Sequence, residues 1–73
     1  MNDKGDELKK KILRTLQAHP EGLMIVNLAS LLAAHRQTVA KYLLVLEAQG
    51  LTEHRALGPA TLHYTTQKGR KAR

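Results

Sequence analysis

The chain has 73 residues, a length that suits one small domain. It contains no cysteine, which excludes disulfides and thiolate metal sites. No apolar run approaches the roughly 18 residues of a membrane span, and the first residues lack the apolar core of a signal peptide, so a cytoplasmic location is expected.

A net charge of +6 and a pI of about 10.1 favour a polyanionic partner. The distribution of charge weakens that argument. The first 14 residues carry five basic and three acidic side chains, residues 15–67 carry three of each, and the last six residues carry four basic ones. Charge alone therefore does not identify a binding surface.

The first helix is predicted over residues 6–18, preceded by a flexible segment at 1–5. Asp6 is a suitable N-cap, and Pro20 restricts the residue before it to non-helical angles. Apolar residues at helical spacing predict one buried stripe. Its members are Leu8, Ile12, Leu13 and Leu16.

A second helix is predicted over residues 25–33, after a short extended stretch at Leu23 and Met24. Its start is poorly marked, because neither Met24 nor Ile25 can cap a helix. Asn27 would cap a helix that begins one turn later, so both starts remain open.

A third helix is predicted over residues 36–49, with Gly50 as the residue that follows its C-cap. Val39, Leu43 and Leu46 form its inward stripe. Because only about three residues separate this helix from the second, the pair has the pattern of a helix-turn-helix.

Residues 51–57 and 60–66 have the length of strands and flank Gly58-Pro59, which predicts a β-hairpin. Proline fits poorly at the second central position of a two-residue turn, so a somewhat longer loop is expected. The domain is expected to span residues 6–66, followed by a frayed basic tail at 67–73.

Two stretches carry a family resemblance, Arg36-Gln37-Thr38-Val39-Ala40-Lys41-Tyr42-Leu43 and Gly58-Pro59-Ala60-Thr61-Leu62-His63-Tyr64. They resemble the winged helix-turn-helix modules of archaeal, particularly methanogen, transcriptional regulators. Tyr42-Leu43-Leu44-Val45-Leu46-Glu47 with Gly50 is also similar to small bacterial fimbrial-operon regulators. The resemblance implies an α+β fold of three helices and a hairpin wing, and sequence-specific binding of double-stranded DNA.

In this motif the leading turns of the recognition helix, here about 36–49, enter the major groove. Gln37 can pair with adenine, and Lys41 can reach guanine or a phosphate. On the hairpin, Arg55 is the candidate for a wing contact, although Glu53 lies on the same side of the strand. The expected DNA-binding residues are His35, Arg36, Gln37, Thr38, Ala40, Lys41 and Arg55.

Four apolar residues are expected to point outward and leave a second function open: Val26, Leu31, Leu44 and Val45. They would suit a winged helix that binds a protein without specific DNA binding. A homodimer that uses Leu44, Val45 and part of the first helix as its interface, and reads two DNA half-sites, is a further alternative. No arrangement of nucleophile, base and electrophile is evident, so no enzyme, cofactor or small-molecule ligand is expected. His54 and His63 would give a metal only two ligands if they paired across the hairpin, so no metal site is expected.

Overall fold

The computed structural model of the protein describes residues 3–71. Its elements, in chain order, are α1 (Asp3–Gln17), α2 (Ile25–Leu32), α3 (Arg36–Ala48), β1 (Thr52–Leu57), β2 (Ala60–Thr65) and α4 (Gln67–Lys71). None of the helices within residues 3–71 has the length and apolar character needed to cross a membrane.

The core lies where α1, α2 and α3 pack together. Ile12, Leu16, Leu28, Val39 and Leu43 are at most 1% exposed. The apolar periodicity of α1 and α3 predicted their inward sides correctly, except that Leu8 at the edge of the core is only half-buried. Each fully buried apolar side chain of this core stabilises the fold by about 1.5–3 kcal/mol relative to full exposure.

The first helix starts earlier than predicted. The expectation that Asp6 caps it, after a flexible segment at 1–5, is wrong for residues 3–5, which are helical. The Asp6 carboxylate lies 3.5 Å from Lys9 Nζ, one turn later, and thus pairs with a side chain within the helix. Residues 1 and 2 lie outside the described part of the chain.

The earlier of the two possible starts of α2 is the one observed. Ile25 is its first residue, and Asn27 lies inside the helix. Met24 precedes the helix, and its side chain makes no capping hydrogen bond. The helix was expected to end at Ala33 but ends at Leu32, one residue earlier. Ala33 adopts a left-handed conformation with φ of 52°. The short connection to α3 is therefore as predicted.

The hairpin has a tighter loop than predicted. Leu57 pairs with Ala60 at the end of the antiparallel register, which leaves Gly58 and Pro59 as a two-residue loop. The expectation of a longer loop is wrong because Gly58 has φ of +60°. A type II′ turn needs positive φ only at its first central position and accepts the φ of proline at the second.

A single β-bridge joins the segment before α2 to the hairpin. The backbone of Leu23 exchanges two hydrogen bonds with that of His63, at 2.9 and 2.8 Å. This contact confirms the extended stretch predicted before α2, and it ties the hairpin to the helical part of the domain.

The expected frayed tail is instead a short helix, α4, through Lys71. The hydroxyl of Thr66 accepts a hydrogen bond of 3.0 Å from the backbone N–H of Gly69, which caps the helix. Gln17 Nε2 donates to the Gly69 carbonyl at 2.7 Å. A side chain at Gly69 would overlap the backbone of Leu51, so only glycine allows α4 to pack this closely. Residues 72 and 73 lie outside the described range.

Candidate nucleic-acid interface

The third helix presents one clear face to the core and another to solvent. Val39, Leu43 and Leu46 are buried. At 3.6 residues per turn, the opposite side of the helix carries Gln37, Lys41, Leu44 and Ala48. All four are exposed, and we call them the outward stripe of α3.

The leading turns of α3 present several exposed polar and basic side chains. His35, Arg36, Gln37 and Lys41 are exposed, whereas Thr38 and Ala40 on the flanks of the helix are half-buried. His35 has extended backbone angles and immediately precedes the helix. The hairpin borders this surface at Ala40, which lines a groove together with Thr61 and His63 of β2.

The hairpin turns one of its two faces toward α3. Side chains alternate between faces along a strand, and directly paired residues share a face. Thr52 and Thr65 pair at the base of the hairpin and are both 2% exposed. His54 and His63 pair two residues further along the same face, where with Ala40 and Glu47 they line a groove between hairpin and helix.

Glu47 connects the helix to the hairpin. Its carboxylate oxygens lie 3.0 and 3.1 Å from His54 Nδ1 on β1. Glu47 is the single acidic residue of α3, so this contact directs the negative charge of the helix toward the hairpin and away from the outward stripe.

The partner of His54 across the hairpin is His63, with ring centroids 6.0 Å apart. Burial lowers the pKa of His63 below its ordinary value of 6.5, and the positive charge of a protonated His54 also lowers it, whereas Glu47 raises it. Within residues 3–71 no group of three histidine or carboxylate side chains is arranged to hold a metal ion.

The structure does not bring Arg55 together with the helical residues. Arg55 pairs with Leu62 on the hairpin face that points away from α3, and it lines a separate groove with Pro20 and Glu21. Strand alternation places Glu53 on the same face as Arg55, as the sequence predicted.

The apolar residues expected to point outward are divided. Val26, Leu31 and Leu44 are 49%, 60% and 68% exposed. The expectation is wrong for Val45, which is half-buried beside Tyr42, the residue three positions earlier on the same flank. Leu57 at the hairpin tip is 51% exposed, and this exposure was not predicted from the sequence. Leu57 is exposed because, within residues 3–71, nothing lies beyond the two-residue loop to cover it.

No protein-family profile matches the chain, and no curated protein matches it in sequence. Among solved structures it is similar to the transcriptional regulator SlyA, with a TM-score of 0.74 and 24% sequence identity over 94% of this chain. The fold is a winged helix. The match covers 54% of the SlyA chain, so this chain spans about half the length of that protein. At this identity the likeness concerns the fold, and the resemblance to archaeal and fimbrial regulators stays a prediction.

Proposed function

We propose that this winged helix binds double-stranded DNA sequence-specifically, as a module of a transcriptional regulator, with α3 in the major groove. The observation that carries the proposal is the exposure of His35, Arg36, Gln37 and Lys41 on the leading turns of α3. An α-helix fits the major groove of B-DNA, and in helix-turn-helix proteins the leading residues of the second helix contact the bases.

Each residue of this surface has a chemical role in the proposed complex. The Gln37 amide pairs with the N6 and N7 positions of adenine, and Ala40 is small enough to allow close approach. Lys41 donates to guanine or to a phosphate. In the free protein its ammonium lies 5.7 Å from the Tyr42 ring centroid, an exposed contact worth about 0.5–1 kcal/mol that DNA can replace. Arg36, Thr38 and His35 contact the sugar-phosphate backbone and fix the register.

The hairpin has a smaller part in the proposal. Arg55 is the one lysine or arginine of β1 and β2, and the loop between the strands is uncharged. We propose that Arg55 contacts a phosphate from the face that points away from α3. The negative charge of Glu53 on that face reduces the attraction, so the contact contributes little.

Selection of bound duplexes from a random pool tests the proposal. We expect one enriched motif, bound more weakly as salt is raised because counterions are released from the DNA. Gln37→Ala is expected to weaken binding to that motif and to relax the preference at one base pair. Lys11→Ala, on the exposed side of α1, is the matched control and should leave the motif unchanged.

A protein partner is the second candidate, and the exposure of Val26 and Leu31 on α2 favours it. It predicts no duplex binding at micromolar protein and low salt. Enrichment of no motif, together with weak binding that is the same for every duplex, would contradict sequence-specific recognition and leave the protein partner as the better explanation.

A further inference from the structure

We infer that Leu44 determines specificity by contacting the C5-methyl group of a thymine in the major groove. This inference rests on the proposed function, because it requires α3 to lie against the base edges. It assigns Leu44 to the DNA surface and not to a protein interface.

The position of Leu44 within the outward stripe supports this role. Leu44 is 68% exposed, more than Leu31 at 60% or Leu57 at 51%. It lies three residues after Lys41 and seven after Gln37, so these three side chains project from the same side of the helix. A surface that places Gln37 and Lys41 against the bases brings Leu44 against them as well.

The chemistry of the groove then selects the contact. Among the four bases, thymine alone presents a methyl group in the major groove, at its C5 position. Leucine can neither donate nor accept a hydrogen bond, so the base edge that it covers at least cost is the one with a methyl group. Ala40, one turn earlier and half-buried, is too short to fill the same space.

The charges around Leu44 favour DNA as its partner. Arg36 and Lys41 are exposed cations on the same helix. The one carboxylate of α3, on Glu47, lines a groove together with Leu44, but it is paired with His54 at 3.0 Å. The exposed cations therefore attract the phosphates of DNA, and the sedimentation measurement below tests a second copy of the chain as the alternative occupant.

The spacing along the helix predicts where the thymine lies. Seven residues separate Gln37 from Leu44, which is about 10.5 Å along an α-helix. Base pairs are stacked about 3.4 Å apart, so the thymine is expected within about three base pairs of the adenine that Gln37 contacts.

The test is a double-mutant cycle that removes either side of the contact. In the selected duplex, each thymine in turn is replaced by uracil, which lacks only the methyl group. We expect one replacement within that distance to weaken binding by about fourfold, the value of one buried methyl group. Leu44→Ala should bind the thymine and uracil duplexes equally.

Two variants control for indirect effects. Leu44→Met keeps an apolar side chain of similar volume and should retain the thymine preference. Leu31→Ala removes a comparably exposed leucine from α2 and should leave the affinity for both duplexes unchanged. Thermal unfolding of all variants should match that of the unmodified protein, because neither leucine belongs to the core.

The possible failures are distinct. If no duplex is enriched, the proposed function fails and the inference fails with it. If a motif is enriched but no uracil replacement weakens binding, or if the loss persists in Leu44→Ala, the role of Leu44 is wrong and DNA binding stands. A dimer of the unmodified protein that Leu44→Ala converts to a monomer, measured by sedimentation, would also overturn the inference.

Discussion

The outward stripe of α3 and the hairpin are the two parts of this winged helix that extend from the core, and they differ in chemistry. The stripe presents Gln37, Lys41 and Leu44, a donor–acceptor amide, a cation and an apolar group, on one rigid helix. The hairpin has an uncharged tip and a single arginine that points away from α3. Base recognition is therefore expected to come from the helix, while the hairpin adds little beyond its attachment to α3.

The largest change is expected in the free energy of unfolding, when a residue of the buried face of α3 is compared with one of its exposed face. Leu43→Ala should lower the free energy of unfolding by about 2–5 kcal/mol, because it leaves a cavity in the core. Leu44→Ala, one residue later, should change it by less than about 0.5 kcal/mol. Urea denaturation measures both. Equal losses would mean that Leu44 is packed and not available to a partner.

The second prediction compares the contributions of α3 and of the hairpin to the affinity for the selected duplex. Gln37→Ala should weaken binding to the selected duplex by about 1–3 kcal/mol, because it removes a bidentate base contact. Arg55→Ala should weaken it by less than about 1 kcal/mol, because an exposed phosphate contact beside Glu53 is largely screened. Fluorescence anisotropy titrations at one salt concentration give both values. The reverse order would assign recognition to the hairpin.

A smaller effect concerns the salt dependence of binding. Lys41→Ala should reduce the slope of log affinity against log salt by about 1 if Lys41 contacts a phosphate, and should weaken binding to all duplexes alike. If Lys41 contacts guanine, the preference at one base pair is expected to relax as well. Lys11→Ala is the control of equal charge. An identical change in that variant would show that only the overall charge matters.

The smallest effect is the pH dependence of stability on the hairpin side. Because burial lowers the pKa of His63, the unfolded chain takes up a proton at that residue before the folded protein does. Stability should be greatest above pH 6.5, fall as the pH drops below that value, and level off below the folded pKa of His63. Glu47 raises the pKa of His63 and makes the fall smaller, whereas His54 lowers that pKa and makes the fall larger.

Urea denaturation at pH 7.5 and 5.5 measures this dependence. His63→Gln should flatten this pH dependence, and the control His35→Gln, which changes an exposed histidine immediately before α3, should not flatten it. A dependence that disappears only in His35→Gln would contradict the assignment to His63.

Most of the fold followed from the sequence because apolar periodicity reports which side of a helix is buried. Val39, Leu43 and Leu46 could be assigned to the core on spacing alone, and Gly50 marked the end of α3. The errors lie where one specific contact decides the structure. Thr66 and Gly69 order the tail into α4, and the positive φ of Gly58 closes the loop. Neither effect has a periodic signature.

The candidate site was less predictable than the fold. Helical spacing predicts Gln37, Ala40 and Lys41 on the outward side; this is correct for Gln37 and Lys41, which are exposed, and wrong for Ala40, which is half-buried at the groove between α3 and the hairpin. The contact of Glu47 with His54 depends on how the hairpin packs on α3, which a single sequence does not specify. The same holds for Arg55, because its face of the hairpin is defined only once the register is known.

A titration of ¹⁵N-labelled protein with the selected duplex, followed by the shifts of its amide resonances, identifies the surface that contacts DNA. If α3 contacts the bases, the largest shifts fall on residues 35–41 and on Leu44, with small shifts at Arg55 and none at Val26 or Leu31. Changes centred on Val26 and Leu31, or spread evenly over all basic residues, would contradict recognition by α3.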